Sequence, residues 1–305
     1  MGEDYPKTRM ELEERFGDDA ACRSYLFALR WAEGFLWPHC QAKEVWSMAN
    51  GRWLCAGCRA QVSVMAGTIF QDSKLPLTTW FRAMWQLTSQ KNGVSALSLQ
   101  RELGLGSYKT AWTLLHKLRR AMVRPGRERW QGLVEVDEAY WGGEEAKVRG
   151  RLTYDKARIA VAAEAEGQRL GRIRLRHIAD TSRKTLHGFI AEVVAPGSTV
   201  QTDGWPAYRE LQGYVHEPQV QRRQPKDADL LLPRVHLVIS LFKRWLLGTH
   251  HGAIAHDYLQ DYLDEFTFRF NRPTSASRGK LFYRLVQQAV HVAPSTFDSI
   301  TAPNP

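Results

Sequence analysis

Residues 133–143 read LVEVDEAYWGG, and the alternation in this segment is the strongest indication of the fold. Val134 and Val136 alternate with Glu135 and Asp137, which is the period of a β-strand and places both acids on one face. A carboxylate rising from a buried strand is unusual, and the two glycines that follow allow another backbone to approach closely. We therefore predict that Asp137 belongs to a functional site. The alternative is an edge strand with a solvated acidic face.

The residues that follow predict a mixed domain. Strands are expected at ARIAVAAEA (157–165), RIRLRHI (172–178) and STVQTD (198–203), with a helix at TSRKTLHGFIAEVV (181–194). From Pro233 to Phe270 the pattern predicts two helices separated by GTHHG (248–252). Strands first and a mixed pattern afterwards predict an α/β domain, in a chain that is α+β overall.

Asp203 is the second acid of interest, because it ends the predicted strand STVQTD and precedes Gly204. An Asp-Gly pair alone usually marks a turn, but sites in α/β sheets cluster where strands end. Phosphoryl transfer on a nucleic acid uses two divalent ions about 3.5–4 Å apart, held by hard oxygen ligands. Asp137, bridging both ions, and Asp203 would supply such ligands. A third ligand is expected from a helix that returns across the sheet.

The charge of the chain favours a polyanionic partner, nucleic acid first. Its 305 residues hold 42 Lys and Arg against 32 Asp and Glu, which gives a net charge of +10 and a pI near 9.6. No apolar run approaches the roughly 20 residues that span a bilayer, and the acidic start differs from a secretory signal. We therefore expect an intracellular protein with no membrane association. Four cysteines fit that compartment.

A helix-turn-helix is predicted between Ser95 and Met122. SALSLQREL (95–103) forms a short helix, GLGS (104–107) a turn, and a longer helix begins at Ser107. This second helix would direct basic side chains to phosphates or a major groove. A basic solvated helix face is the alternative. The basic side chains concerned are Lys109, Lys117, Arg119 and Arg120.

Two short hairpin knuckles are predicted at WPHC (37–40) and GRWLCAGC (51–58), after a helical lead-in at residues 8–35. Two Cys-x-x-Cys knuckles would make a four-thiolate zinc site, but Trp37 takes the place of one cysteine. Three thiols remain, and His39 or Cys22 could complete a tetrahedron. Two interpretations stay open: a weakened Zn²⁺ site, or a ribbon held by its aromatic residues without metal. The three remaining thiols are those of Cys40, Cys55 and Cys58.

Several motifs together resemble a bacterial insertion-sequence transposase family of the DDE, RNase-H-like superfamily. They are VDEAYWGG, TDGWPAY, KRWLLGTHHG and YLDEFTFRFNR. WPHC, LCAGC and SVMAGTIFQDSKLPLTTW also resemble the zinc-ribbon region of that family. The resemblance covers roughly residues 20 to 290. It implies an RNase-H-like catalytic domain behind an N-terminal zinc-ribbon-like and helix-turn-helix region.

The same resemblance implies the site residues. Asp137, Asp203 and His236 would form the triad that binds Mg²⁺ or Mn²⁺. Lys243, seven positions after His236, would contact the phosphate near the scissile bond. Arg244 is a further expected DNA contact. Glu265 is a less favoured third acid, expected to hold the C-terminal helices together.

The implied organisation has four parts. They are a helical lead-in and ribbon (1–75), a helix-turn-helix region (76–126), a catalytic domain (127–292) and a tail (293–305). The implied function is to bind element ends, cleave phosphodiester bonds and transfer the 3′-hydroxyls to target DNA. The partners would be double-stranded DNA and further copies of the chain, in the bacterial cytoplasm at the nucleoid.

Two departures from the family pattern leave other functions open. Leu241 stands where the family usually has Asn, and Pro273 where it usually has a second Arg. Together with Trp37 they motivate an alternative, an inactivated or domesticated transposase that acts as a DNA-binding regulator. A nuclease of similar fold without strand transfer is a third alternative.

Overall fold

The structure is a computed structural model that describes residues 3–37, 40–124, 126–143, 156–220, 231–252, 254–272 and 278–302. Its helices are α1 (Arg9–Arg15), α2 (Asp19–Arg30), α3 (Leu77–Ser89), α4 (Ala96–Leu103), α5 (Tyr108–Arg120), α6 (Arg183–Val193), α7 (Pro233–His250), α8 (Leu259–Phe270), α9 (Arg278–Ala289) and α10 (Phe297–Thr301). Its strands are β1 (Val45–Ser47), β2 (Trp53–Cys55), β3 (Gln61–Val62), β4 (Leu133–Trp141), β5 (Ala157–Glu166), β6 (Arg169–Ile178), β7 (Thr199–Asp203) and β8 (Val215–Gln219).

The described residues form two compact units. Unit 1 contains the residues up to Arg124 together with those from 278 onward, and unit 2 contains the residues between. Unit 1 therefore holds α1 to α5, β1 to β3, α9 and α10. Unit 2 holds the remaining elements.

Unit 2 is built on a five-stranded sheet in the order β6-β5-β4-β7-β8. The first three strands along the chain, β4, β5 and β6, pair antiparallel, while β7 and β8 run parallel to β4 and to each other. This topology is RNase-H-like, and the α/β class expected from the sequence is confirmed.

Helices cover both faces of this sheet. On one face α7 and α8 pack on side chains such as Ala139 and Val161, and on the other α6 packs on side chains such as Val136 and Ala160. The central strand β4 is therefore buried on both sides, as strands are when helices cover both faces. Asp137 lies in this central strand and not in a solvated edge strand.

Polar side chains of α8 form hydrogen bonds with the free edge of the edge strand β6. Asn271, at the end of this helix, accepts a hydrogen bond from the Ile173 N–H at 2.7 Å and donates one to the Ile173 carbonyl at 3.0 Å. Gln260 accepts from the His177 N–H at 2.8 Å. These contacts occupy main-chain groups that a sheet edge would otherwise expose.

Helix α9 completes the core of unit 1. Its apolar side chains recur at helical spacing, and Phe282 meets the rings of Phe16, Phe81 and Trp85. The catalytic domain predicted from the sequence, residues 127–292, would include α9, whereas this helix packs against α2 and α3 in unit 1. The periodicity of an amphipathic helix shows which face it buries but not which core receives that face.

The ribbon and the predicted helix pair also lie in unit 1. β1, β2 and β3 form a small antiparallel sheet. α4 ends at Gly104, which has a φ of +62°, and α5 begins after Ser107, whose hydroxyl accepts the Thr110 N–H. Within the described part of the chain, no helix combines the length and the hydropathy that crossing a membrane would require.

Candidate active site

Asp137 and Asp203 lie at the same level of two neighbouring strands. The parallel register of β4 and β7 pairs Glu135 with Gln201, an offset of 66 positions. Asp137 and Asp203 have the same offset and come two residues later on each strand. Since adjacent strands lie about 4.8 Å apart, the register places the two carboxylates side by side where β7 ends.

Each aspartate has one oxygen held by the main chain. Asp137 Oδ1 accepts from the Glu138 N–H at 2.8 Å, and Asp203 Oδ1 accepts from the Trp205 N–H at 3.0 Å. Asp137 is 8% exposed and Asp203 is half-buried. These bonds restrict the side-chain torsions, so both carboxylates have a defined orientation.

His236 lies in the first turn of α7, and its Nε2 is 3.8 Å from Asp137 Oδ2. This distance is too long for a hydrogen bond. Two ligands of one ion, each bound at about 2.0–2.2 Å, lie about 3–4 Å apart. The strand register places Asp203 beside Asp137, and α7 places His236 beside Asp137. The carboxylate oxygens and the imidazole nitrogen are therefore spaced as the ligands of one divalent cation are.

Farther along α7, Lys243 lies two turns beyond His236 and is half-buried. Arg244 is exposed. Leu241 packs against the apolar core between α7 and the sheet. The leucine found at the usual asparagine position is thus accommodated by packing, without displacing an aspartate.

Tyr208 is a buried residue near the carboxylates that the sequence analysis did not single out. It follows β7 in the motif TDGWPAY and is fully buried. Burial raises the pKa of Tyr208 well above its usual value, and the carboxylates of Glu138, Asp137 and Asp203 raise this pKa further. The phenol therefore stays protonated beside the site.

Glu135 is a second residue to which the sequence assigned no role, although its position predicted the same strand face as Asp137. Its fully buried carboxylate lies 2.7 Å from the Arg234 guanidinium and accepts hydrogen bonds from the main-chain N–H groups of Arg234 and Val235. The sequence does contain an indication of this pair: an acid, Glu135, precedes Asp137 by two positions, and a base, Arg234, precedes His236 by two. The two pairs are almost a hundred positions apart, so their contact appears only in the fold.

Glu265 lies elsewhere in unit 2. It is fully buried in α8, and its Oε1 is 3.9 Å from the Arg269 guanidinium one turn along the same helix. Pro273, the other departure from the family pattern, lies outside the described residues. His236 is the helical residue that the structure places beside Asp137.

The two ribbon knuckles share one backbone pattern. In the first, Trp37 N–H donates to the Ala42 carbonyl and Gln41 N–H donates to the Trp37 carbonyl. In the second, Cys55 N–H donates to the Ala60 carbonyl and Arg59 N–H donates to the Cys55 carbonyl. Gln41 and Arg59 have nearly the same positive φ, +59° and +61°. Trp37 thus occupies the position that Cys55 occupies in the other knuckle.

The three remaining ribbon thiols converge. Their sulfur atoms all lie within 4.8 Å of one another, and Cys40 Sγ is 3.4 Å from Cys55 Sγ. Zinc–sulfur bonds of about 2.3 Å would separate two thiolates by roughly 3.8 Å, so the cluster fits zinc. The third member is Cys58.

The predicted fourth ligands are placed as follows. Cys22 is buried in α2 and is not a member of the thiol cluster found among the described residues. Burial raises the pKa of the Cys22 thiol to about 12, which keeps it protonated. His39 lies outside the described residues. Trp37, at the knuckle position of a ligand, is buried in an aromatic cluster with Phe35.

The basic residues predicted to contact DNA differ in accessibility. Lys109 is exposed, with its ammonium 3.6 Å from the centroid of the Phe297 ring, and Lys117 and Arg120 are half-buried. Arg119 is 1% exposed and lies against His116, so its guanidinium is buried here and its contact with DNA stays a prediction. Helical spacing rotates Arg119 to the inner face of α5, where Leu115 and Leu118 are also buried.

Two family models match the chain: an ISXO2-like transposase domain over residues 129–271 and a transposase zinc-ribbon domain over residues 17–61. With the RNase-H-like sheet and its paired aspartates, these matches define a transposase of the DDE class. The chain belongs to the insertion-sequence transposases that combine an ISXO2-like transposase domain with an N-terminal zinc ribbon. The family expected from the motifs is confirmed.

Individual proteins add two comparisons. A protein of Halobacterium salinarum, described as an uncharacterized protein in transposable element ISH50, is 28% identical over 292 residues, covering 85% of this chain and 94% of the relative. One solved structure, the simian T-cell lymphotropic virus intasome in complex with PP2A regulatory subunit B56 gamma, matches with a TM-score of 0.31 and 15% identity. That match covers 70% of this chain and 78% of the intasome chain.

Proposed function

We propose that this transposase cleaves phosphodiester bonds at the ends of its element and joins the freed 3′-hydroxyls to target DNA. The convergence of Asp137, Asp203 and His236 supports this proposal most strongly. Two carboxylates come together through strand register, and an imidazole nitrogen lies 3.8 Å from one of them. Both reaction steps are in-line phosphoryl transfers, which need such a set of donors.

In this proposal Asp137, Asp203 and His236 hold the divalent ions. Bound Mg²⁺ or Mn²⁺ would polarise the attacking oxygen and stabilise the leaving oxygen. The main-chain hydrogen bonds to Asp137 and Asp203 orient the carboxylates in advance. Lys243, on the His236 side of α7, would contact the phosphate beside the scissile bond, and Arg244 would contact the DNA nearby.

We further propose that α4 and α5 bind the element ends through Lys109, Lys117 and Arg120, with the ribbon holding Zn²⁺ through its three clustered thiols. Double-stranded DNA is then the partner at both the end and the target. Pairing two ends requires at least two copies of the chain. A protein that acts on chromosomal DNA would work in the cytoplasm at the nucleoid.

Cleavage of a DNA duplex tests the catalytic assignment. The duplex carries the terminal inverted repeat expected at the ends of the element, and the reaction contains Mg²⁺ or Mn²⁺. Asp137→Ala, Asp203→Ala and His236→Ala should each cut at least about a hundredfold more slowly, since each loses a metal ligand worth several kcal/mol. Glu166→Gln, which changes an exposed acid at the end of β5, should cut like the parent. Equal cleavage by all five proteins would contradict the assignment.

The same assay separates the alternatives. A DNA-binding regulator would bind the end duplex and cut it with neither metal. A nuclease without strand transfer would cut the end but leave an added target plasmid unjoined. Trp37 and Leu241 favour the regulator as the second candidate, although the structure packs each side chain into an apolar cluster.

A further inference from the structure

The carboxylate of Glu135 joins the central strand β4 to the first turn of α7. Its Oε2 accepts from the main-chain N–H groups of Arg234 at 2.8 Å and Val235 at 2.9 Å, and its Oε1 lies 2.7 Å from Arg234 Nη1. The Arg234 guanidinium continues to the turn between β5 and β6, where it donates to the carbonyls of Gly167 at 2.9 Å and Arg169 at 3.3 Å. This ion pair, with Glu135 fully buried and Arg234 partly buried, therefore connects the start of α7 to β4 and to the turn between β5 and β6.

This carboxylate caps the helix from outside it. The N-cap residue of α7, Leu232, makes no side-chain hydrogen bond to the first turn, and Pro233 follows at the first helical position. The first N–H groups of a helix need acceptors, and a negative charge there is favoured by the helix dipole. Glu135, on the neighbouring strand β4, supplies both the acceptor oxygens and the negative charge. Burying a carboxylate costs stability unless such bonds compensate it.

The position of the cap determines where His236 lies. Glu135 and Asp137 are on the same face of β4, and His236 follows the capped residue Val235 directly. A one-residue slip of α7 would rotate the imidazole by about 100° and shift it by about 1.5 Å. Such a slip would separate His236 Nε2 from Asp137 Oδ2, which are 3.8 Å apart.

We propose that Glu135 and Arg234 are positioning residues that hold His236 against Asp137. This inference rests on the proposed function, because it assumes that His236 and Asp137 share a divalent ion. An apolar pair could pack β4 to α7 equally well, but it would not select which turn of the helix faces Asp137. The Glu135 carboxylate selects that turn, because it accepts from one guanidinium nitrogen of Arg234 and from the main-chain N–H groups of Arg234 and Val235.

The test measures Mn²⁺ binding to the full-length chain alone, by titration calorimetry. The variants are Glu135→Gln, Arg234→Lys, His236→Ala, and the two doubles that add His236→Ala to each of the first two. Glu135→Gln turns its amide N–H groups toward either the helix donors or the Arg234 guanidinium, so it loses one of these two sets of hydrogen bonds. Arg234→Lys is a milder change that keeps the charge and the main-chain hydrogen bonds. Glu164→Gln is the matched control, since it removes another Glu–Arg pair of the same sheet, Glu164 with Arg172.

We expect Glu135→Gln to weaken Mn²⁺ binding about tenfold, as loss of an outer-shell partner does, with a smaller loss in Arg234→Lys. In the His236→Ala background neither change should weaken Mn²⁺ binding further, because residues that act through one ligand are not additive. Glu164→Gln should lower the thermal stability without changing the Mn²⁺ affinity.

Three outcomes would overturn the inference: unchanged Mn²⁺ affinity in both Glu135→Gln and Arg234→Lys, additive losses in the doubles, or an equal loss in Glu164→Gln. If Glu135→Gln does not fold, the inference is tested with Arg234→Lys and with the double variant that adds His236→Ala to it. Asp137→Ala separates this inference from the proposed function. Undiminished Mn²⁺ binding by Asp137→Ala would reject the proposed site itself, whereas weakened binding by Asp137→Ala beside unchanged positioning variants would reject the inference alone.

Discussion

Trp37 and Cys55 occupy equivalent positions in two zinc-ribbon knuckles with matching backbone hydrogen bonds. The position that carries a thiolate in one knuckle carries a buried indole in the other. The ribbon therefore has a complete backbone scaffold for four ligands but three clustered thiols among its described residues.

This equivalence predicts the effect of Trp37→Cys on zinc. The freshly purified parent should hold less than one zinc per chain, whereas Trp37→Cys should hold one and retain it against a mild chelator, because four thiolates complete the tetrahedron. Metal analysis after gel filtration measures both. Trp46→Cys is the matched control, since Trp46 is half exposed on β1 of the same ribbon. A full equivalent of tightly held zinc in the parent would show that Trp37 does not weaken the site.

DNA binding should depend on the accessible bases of α5 and not on the buried one. Lys109→Ala, Lys117→Ala and Arg120→Ala should each weaken binding to an end duplex and lower the slope of log K against log salt by about one, since each removes one phosphate contact. Arg119→Ala should leave this slope unchanged and lower the stability of the protein, because Arg119 is buried. Fluorescence anisotropy at several salt concentrations measures the slope. An Arg119→Ala slope reduced like the others would mean that α5 turns when it binds DNA.

The stability of unit 2 should depend on pH through Asp264. Burial raises the pKa of this carboxyl to about 7, although the Gln260 amide and Arg127 lower it. The unfolded chain loses this proton near pH 4. The folded state therefore binds the extra proton between about pH 4 and 7, and the free energy of unfolding falls as the pH rises through that window. Above about pH 7 the stability contributed by protonated Asp264 is fully lost.

Asp264→Asn should remove that dependence. Its stability relative to the parent should rise between about pH 4 and 7 by up to about 4 kcal/mol, measured by urea unfolding. Asp180→Asn is a control of opposite sign. Hydrogen bonds from Ser182 and Thr185 lower the pKa of Asp180 to about 2, so Asp180 contributes stability above about pH 4 that is lost as the pH falls through its folded pKa. A pH-independent difference for Asp264→Asn would contradict the prediction.

The contact between Asn271 and the edge of β6 predicts an unusually costly Asn-to-Asp change. Asn271→Asp keeps an acceptor for the Ile173 N–H but places a carboxylate oxygen against the Ile173 carbonyl. We expect a loss of about 1–3 kcal/mol in the free energy of unfolding and faster hydrogen exchange of the Ile173 amide. Asn50→Asp should be nearly neutral, because Asn50 lies at an exposed turn and serves as an acceptor for the Arg52 N–H. Similar losses in both variants would argue against the bridging role.

The local features of this protein can be predicted from its amino-acid sequence. Alternation in LVEVDEAYWGG predicted the strand of Asp137, and helical spacing predicted α4, α5 and α7, because these patterns depend on neighbouring residues. Glu135 was visible as an acid on the same strand face. Its partner Arg234 was not, because that contact joins residues far apart in the chain.

Contacts between residues far apart in the chain depend on the packing of the whole fold. Strand register set Asp137 level with Asp203, and the cap on α7 set His236 beside Asp137. The structure also assigned α9 to the core of unit 1 and turned Arg119 inward. Periodicity tells which face of an element is apolar, but the partner of that face is settled when the whole chain buries its apolar surface at once.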